Sequence, residues 1–389
     1  MKEFDVIIIG GGMIGLAFAL DLSRKKDYSI AIIEPNDCNP LIQNSFHTRV
    51  SAITPSSQEY LSSINVWDDI KRKKAFVATK VWDQNSHGHL NFYAEDEGLD
   101  SLGFIIENDV IQSAIFENID HNKIAIIKQK LEKLSKTDFG YDVILDDKRS
   151  LSCKLVIGAD GPQSKVRDLA AINVSSIDYE QKAIIANIKS EKSFLDTTWQ
   201  RFLSDSIVAI LPLSENQASI VWSCKNHLAD KLEASESKDF NQLLSEAVEY
   251  QFGCLELLSD IKMFPLIARS AQEYSVPNLA LIGDAAHSIH PLAGQGANLG
   301  FSDVKEINNQ LLNDEKPLGD HSVLRRYARA RRLDNELMAK TMTGLDWIYK
   351  ENNEPMRWLR GFGMNLIDES SILKSLIQKK ALSQSTVSY

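Results

Sequence analysis

The chain has 389 residues and a formal net charge of −10, with 53 acidic against 43 basic side chains. An acidic balance excludes nucleic acid as the main partner, because neutralising phosphates requires a basic surface. The length calls for two intertwined domains, or one large α/β domain carrying an insertion. Four cysteines, Cys38, Cys153, Cys224 and Cys254, show neither C-x-x-C nor metal-ligand spacing, so they read as reduced small hydrophobes and no metal site is expected.

In chain order, a strand from Phe4 to Ile9, a glycine turn from Gly10 to Gly15, a helix from Leu16 to Lys25 and a strand from Ile30 to Glu34 predict a parallel β-α-β unit. The apolar run Val6–Leu22 invites a signal-peptide reading, which two features oppose. Glu3 and Asp5 stand where a basic region belongs, and Gly10-Gly11-Gly12 interrupts the run. No other segment approaches the ~20 apolar residues of a membrane span, and a cytoplasmic protein is expected. Within the unit, Gly10-x-Gly12-x-x-Gly15 is followed by Glu34 nineteen residues on. The first glycine permits a tight turn, the second lets a pyrophosphate approach backbone N–H groups, and the third lets helix and strand pack closely. Glu34 can accept from a ribose hydroxyl. This motif alone does not choose between FAD and NAD.

Alternating β-rich residues run from Val77 to Phe92, and Val110, Ile111, Ala114 and Ile115 mark an amphipathic helix over Asn108–Asn118. Strands are predicted at Ile124–Ile127 and Tyr141–Leu145, and Lys154–Gly161 reads as a buried strand ending in a glycine turn. Further strands at Ala183–Ile188, Thr198–Leu203, Ile207–Leu213 and Ala218–Ser223, with a helix over Asp239–Gln251, predict an inserted antiparallel sheet. Its aromatics Trp199, Phe202 and Trp222 read as sheet core, and as candidates to line a substrate pocket.

Leu279–Ile282 returns as a short buried strand, and Ala297, Leu299, Phe301 and Val304 begin a helix that runs to Leu312. The glycine- and proline-bearing turn between them delivers a helix N-terminus, whose free N–H groups suit an anion or an electron-rich carbonyl edge. Asp284 can act there as an N-cap, as a ligand, or as both. His287 and His290 lack a neighbouring carboxylate or cysteine, which favours packing over metal binding. From Phe301 to about Lys380 the chain reads as helical, with Arg325, Arg329 and Arg332 on one solvated face answering Asp320 and Asp334, and Ser383–Tyr389 reads as disordered.

Two of these segments carry a family resemblance. Gly158-Ala159-Asp160-Gly161-Pro162-Gln163-Ser164-Lys165-Val166-Arg167 resembles the Asp-Gly motif of aromatic flavoprotein hydroxylases, and Gly283–Asp303 resembles their second FAD motif. His290-Pro291-Leu292-Ala293-Gly294-Gln295-Gly296-Ala297-Asn298-Leu299-Gly300, followed by Asp303, is similar to the signature of the ubiquinone-biosynthesis monooxygenases, the UbiH, UbiF and UbiI group. Arg49–Ile53 resembles that family's arginine loop, Glu107–Ile111 its short helix-start motif, and Met356–Arg360 its C-terminal helical segment. Val81–Asp83, Gly88–Leu90 and Leu102–Asn108 lean toward UbiI-type phenol hydroxylases.

The resemblance implies a doubly wound FAD-binding α/β domain over residues 1–76, 98–175 and 270–320. A mainly antiparallel β substrate domain would occupy 77–97 and 176–269, C-terminal helices 321–380, and a disordered tail 381–389. It further implies FAD as cofactor, NAD(P)H as transient reductant, O2 as co-substrate, and hydroxylation of a polyprenylated phenol in ubiquinone synthesis. Partner proteins of that synthesis and peripheral contact with the inner membrane are part of the same expectation. Gly10, Gly12 and Gly15 would hold the FAD pyrophosphate, and Glu34 the adenosine ribose. Asp284, beside Gly283, would bind the ribityl chain or the pyrophosphate end, with Arg49 and Asn108 opposite. The backbone of Gly294, Gln295, Gly296, Ala297 and Asn298, with Pro291, would face the flavin, and Asp160 would belong to the wall shared with the nicotinamide cofactor.

No side chain is assigned as a general base. The chain departs from the family at Asp205-Ser206-Ile207, where a Gly-Pro turn is usual, and this bears on substrate position. Three rival readings remain: a nicotinamide dehydrogenase, a non-catalytic flavoprotein-like scaffold, and a flavin hydroxylase for a small soluble ring.

Overall fold

A computed structural model describes residues 2–84, 88–288, 296–350, 364–370, 373–375, 377–378 and 382, with backbone alone over 337–350. Strand β1 (Lys2–Ile9), helix α1 (Met13–Lys25) and strand β2 (Ile30–Ile33) form the parallel unit. Their β-branched residues are buried on both faces of the sheet, as a parallel sheet covered by helices requires. β1 also pairs in parallel with Ser150–Gly158, which pairs in parallel with Leu279–Leu281, while β2 pairs with Ile124–Ile127. The sheet order is therefore Leu279–Leu281, Ser150–Gly158, β1, β2, Ile124–Ile127, with antiparallel strands at Leu131–Lys136, Tyr141–Leu145 and Ser275–Val276. Helix α1 carries buried Leu16, Phe18, Leu20 and Leu22 and lies against the helices Asn108–Glu117 and Gly296–Leu312.

The inserted sheet is built from Ala78–Asp83, His89–Tyr93 and the strands between Val174 and Ala271. It is antiparallel except where Thr197–Phe202 runs parallel to Ala78–Asp83, because the chain enters this sheet on two separate excursions. The strand expected at Ala183–Ile188 extends over Val174–Ser190. A register shift between Asp178 and Lys182, with Glu180 at φ 55°, bends it and lets one strand serve the whole width. Helices Asn226–Glu233 and Ser237–Ala247 cover one face of this sheet and enclose a second core. A three-stranded sheet of Val50–Ile53, Lys74–Phe76 and Gly103–Glu107 lies between the two.

The two main sheets also share chain. His287–Ser288, just past the strand Leu279–Leu281, pairs with Arg269 and Ser270 of the inserted sheet. The C-terminal helix His321–Lys350 packs on Gly296–Leu312, and the Tyr327 hydroxyl donates to the Leu281 carbonyl at 2.7 Å. Among the described residues no helix is long and apolar enough to cross a membrane. Met356–Arg360 and Ser383–Tyr389 lie outside the described residues.

Candidate functional site

The glycine turn after β1 is shaped by steric necessity at two positions and by open space at a third. Gly10 has φ +109°, and a Cβ on it would meet the Ala159 carbonyl oxygen at 2.3 Å. A Cβ on Gly15 would meet the Gly10 carbonyl oxygen at 2.1 Å. Among the described residues, a Cβ on Gly12 would meet nothing within 4 Å. Gly12 is the N-cap of α1, with no side chain capping the helix and no acid in its first turn. The leading N–H groups of α1 therefore face open space with the positive end of the helix behind them, an arrangement that fits a diphosphate. Glu34 closes one side: its carboxylate accepts from the Gly11 N–H at 2.9 Å and from the Asn36 N–H at 3.0 Å.

The other two motif segments meet this turn. Ala159 donates its N–H to the Ile9 carbonyl at 2.8 Å. Asp160 accepts from the Ser164 hydroxyl at 2.6 Å and the Val166 N–H at 3.1 Å, so its carboxylate caps the short helix that follows, and burial raises its pKa above the ordinary value. Arg167 is buried and donates to the Pro162 carbonyl and to the Ala285 carbonyl, each at 3.1 Å, which ties this turn to Gly283–Ala285. Ile14 of α1 fills the space that a Cβ on Gly300 would take, at 2.7 Å, and lies in ordinary contact distance, 3.4 Å, of where one on Gly283 would stand. Segments of the chain up to 290 residues apart in sequence thus converge on the N-terminal turn of α1 (Gly10 to Gly300, by residue number).

Asp284 follows Gly283, whose φ is +58°. Its side chain reaches solvent from a recess crowded by protein, and this desolvation raises its carboxyl above the ordinary value, against the charges of His287 and Arg49. Arg49 is exposed, and its charge acts on the Asp284 carboxylate. Among the described residues no acceptor bonds the Arg49 guanidinium. Its carbonyl accepts from the Asn108 N–H at 3.0 Å, and the Asn108 side chain accepts from the Ser51 hydroxyl at 2.7 Å. Gly296 is exposed beside Asp284, whose Oδ1 lies 4.0 Å from where a Gly296 Cβ would stand, and Ala297 is buried one residue on. Asn298 is turned the other way: it accepts from the Thr54 N–H at 3.1 Å and donates to the Ala52 carbonyl at 2.8 Å. Pro291, Gly294 and Gln295 lie outside the described residues, as does His290.

A buried ionic cluster beneath this recess corrects one sequence reading. His287 does have a carboxylate partner: its Nε2 lies 2.6 Å from Asp303 Oδ2, which also accepts from the Gly283 N–H at 2.9 Å. Arg331, between Arg329 and Arg332 in sequence, is buried and donates from Nε to Asp303 Oδ1 at 2.7 Å. Burial alone would raise the Asp303 pKa, but His287 and Arg331 together hold it below the ordinary value. An ionised carboxylate can only accept, so His287 carries its proton on Nε2. Arg331 was detectable in the sequence, since it stands four residues after Tyr327 and seven after Leu324, on the apolar stripe of its helix. Among the described residues no group of His, Cys, Asp and Glu could hold a metal ion.

The inserted sheet divides its aromatics between two faces. Trp199 and Trp222 point to the helix-covered core, Trp199 against Phe252 and Trp82, and Trp222 against Phe240. Phe202, three residues after Trp199 on the same strand, falls on the opposite face. Of the three candidates, Phe202 alone shares the face that carries Leu211, which clusters with Phe46, Val50 and Ala52. Asp205 and Ser206 line an open groove of about 540 Å³ on the helix side with Arg201, Trp222, Leu243 and Glu249. Cys38, Cys153 and Cys224 are buried and Cys254 is exposed, and burial pushes the Cys153 thiol up to about 12.

Comparison with known proteins adds a second line of observation. Residues 3–341 match the FAD binding domain family, FAD_binding_3. The 3-demethoxyubiquinol 3-hydroxylase of Escherichia coli (strain K12) is 33% identical over 97% of this chain and 98% of its own length. The mitochondrial ubiquinone biosynthesis monooxygenase COQ6 of Danio rerio is 33% identical over 96% of this chain and 88% of its own. Among solved structures, P. aeruginosa PqsL in complex with 2-aminobenzoylacetate shares the fold, with a TM-score of 0.78 and 20% identity over 94% of this chain and 100% of that one.

Proposed function

This chain belongs to the FAD-dependent monooxygenases of the ubiquinone-biosynthesis hydroxylase family, and from that premise we propose that it hydroxylates the aromatic ring of a polyprenylated phenol, with NAD(P)H as reductant and O2 as co-substrate. The observation that carries the reading is the meeting of the Gly10–Gly15, Asp160–Arg167 and Gly283–Asp284 segments around the open Gly12 position. In this reading the first turn of α1 holds the FAD pyrophosphate and Glu34 the adenosine ribose. Asp284 holds the ribityl side, with Arg49 and Asn108 opposite. Gly294, Gln295 and Gly296, with Pro291, serve the flavin edge through their backbone. Asp160, fixed by its cap to Ser164 and Val166, gives the nicotinamide side a rigid wall.

Bound FAD supplies the oxygen activation that amino-acid side chains cannot. The chain's own residues orient, exclude water and fix charge. Leu211, Val50 and Ala52 offer an apolar surface suited to a phenol ring, with Phe202 on the same sheet face. A dry wall strengthens the field of the Asp284 and Arg49 charges across the recess. The substrate's isoprenoid chain calls for a membrane surface or a lipid-shielding partner, which gives the protein a peripheral place on the inner membrane.

The test is direct. The purified protein should carry flavin absorption, and a polyprenylated phenol should stimulate NAD(P)H oxidation with one 18O atom from O2 entering the ring. A colourless protein that binds no FAD overturns the reading. Flavin binding without substrate-stimulated oxidation favours a scaffold, and turnover of small soluble phenols in preference to prenylated ones moves the activity to another ring hydroxylase. Sedimentation with anionic vesicles tests the membrane contact.

A further inference from the structure

The segment Phe46–Arg49 crosses from the inserted sheet to the cofactor recess, and every residue of it is bonded through its backbone to a different partner. The Phe46 carbonyl accepts from Asn187 Nδ2 at 2.6 Å, and the Thr48 carbonyl accepts from the Ser219 hydroxyl at 3.3 Å. Between them the His47 N–H donates to Glu107 Oε1 at 2.6 Å, and after them the Arg49 carbonyl accepts from Asn108. Asn187 and Ser219 are a directly opposed pair on neighbouring antiparallel strands, 4% and 0% exposed. Two polar side chains facing each other in mid-sheet thus reach two carbonyls two residues apart, the spacing of one face of an extended segment.

The pair does more than close the sheet: its donors satisfy the Phe46 and Thr48 carbonyls, which an apolar pair would leave unmet. Among the described residues, Asn187 Oδ1 and Thr48 Oγ1 are buried there without a hydrogen-bond partner, and leaving such atoms unpaired costs about 1–3 kcal/mol each. The loop is therefore held in the one register that meets both donors, at a cost in unpaired oxygens, and local rules tend to be broken where geometry serves function. What the bonded segment presents is Arg49, exposed, with its charge acting on Asp284 across the recess.

We propose that Asn187 and Ser219 are positioning residues: they fix the Phe46–Arg49 segment so that Arg49 meets the bound FAD, making the cofactor's hold depend on the inserted sheet. This rests on the FAD reading above. Flavin-fluorescence titration of the apoprotein, which requires no substrate, tests it as a double-mutant cycle. N187A and S219A should each weaken FAD binding about threefold to tenfold, and R49A at least as much. In the R49A background, N187A should change the affinity by less than about twofold, because its effect passes through Arg49. S219T, which keeps the hydroxyl, should restore most of the affinity lost in S219A. An N187A loss of equal size with and without Arg49 overturns the proposal, and so does unchanged FAD affinity in N187A or R49A. If N187A does not fold, S219A against R49A decides by the same criteria. A wild type that binds FAD but oxygenates no phenol would remove the proposed function and leave this inference standing.

Discussion

Two turns look into the same recess and are held in place by different physics. The Gly10–Gly15 turn is fixed by close backbone approach, with carbonyl oxygens 2.3 and 2.1 Å from where side chains would begin. The Gly283–Asp284 turn is fixed by charge: Asp303 accepts the Gly283 N–H while paired with His287 and Arg331. A sterically fixed turn is indifferent to pH and tolerates no added atom. A turn fixed by ionisation tolerates atoms but depends on which groups are charged.

That contrast can be broken most severely at Asp303. D303N leaves the buried Arg331 with only the exposed Asp334 as countercharge and should cost up to about 3–5 kcal/mol in denaturant unfolding at neutral pH. Because the folded Asp303 pKa is depressed, its contribution is complete above the ordinary carboxylate pKa and is lost as pH falls through the lower folded value. The D303N deficit should therefore narrow in acid. G15A should cost about 1–3 kcal/mol by overpacking, and this loss should not vary with pH; a pH-dependent G15A deficit would erase the distinction between the turns.

G12A isolates ligand from scaffold. Its Cβ meets no atom of the described residues within 4 Å, so unfolding of the apoprotein should move by no more than about 1 kcal/mol, the preference of an N-cap for glycine over alanine, whereas FAD affinity should fall tenfold or more. The smallest effect belongs to D284N. Burial raises the folded pKa of Asp284, so its ionised form is penalised on folding, an effect absent below the ordinary carboxylate pKa and growing as pH rises through the folded value. At neutral pH the variant apoprotein should melt slightly higher than wild type while binding FAD about tenfold more weakly. Equal melting temperatures would show that Asp284 is not strained in the apoprotein.

The first turn was legible because its rules are local. Three glycines at fixed spacing between a strand and a helix state where a Cβ cannot go, and where one can be spared for a ligand. The second was legible as a motif but not as a mechanism. His287 and Asp303 are sixteen residues apart, and Arg331 lies 28 residues beyond Asp303, on another helix. Nothing in a single sequence pairs them. The direction of Trp199 was hidden for a related reason: Thr197–Phe202 mixes polar and apolar residues on each face, and only the helices Asn226–Glu233 and Ser237–Ala247 decide which face becomes core. The strand Lys262–Ala271, interrupted by its proline, and the helix Pro55–Ser63, poor in apolar residues, offered little periodic signal. Asn187 and Ser219 were read only as strand residues, because a clamp is a property of the segment it grips.

The order of the first sheet also sets a timetable. β1 emerges first during synthesis, yet its neighbour on one side is Ser150–Gly158, and that strand waits in turn for Leu279–Leu281. At ~5–20 residues per second, the third of these strands is made roughly 15–60 s after the first. Until Ser150–Gly158 is made, about halfway through that interval, Val6–Ile9 has a partner only in β2, and the apolar edge it offers must be shielded by the nascent chain or by a chaperone. The recess closes only when Gly283 arrives, so the cofactor meets a sheet whose parallel strands are already made.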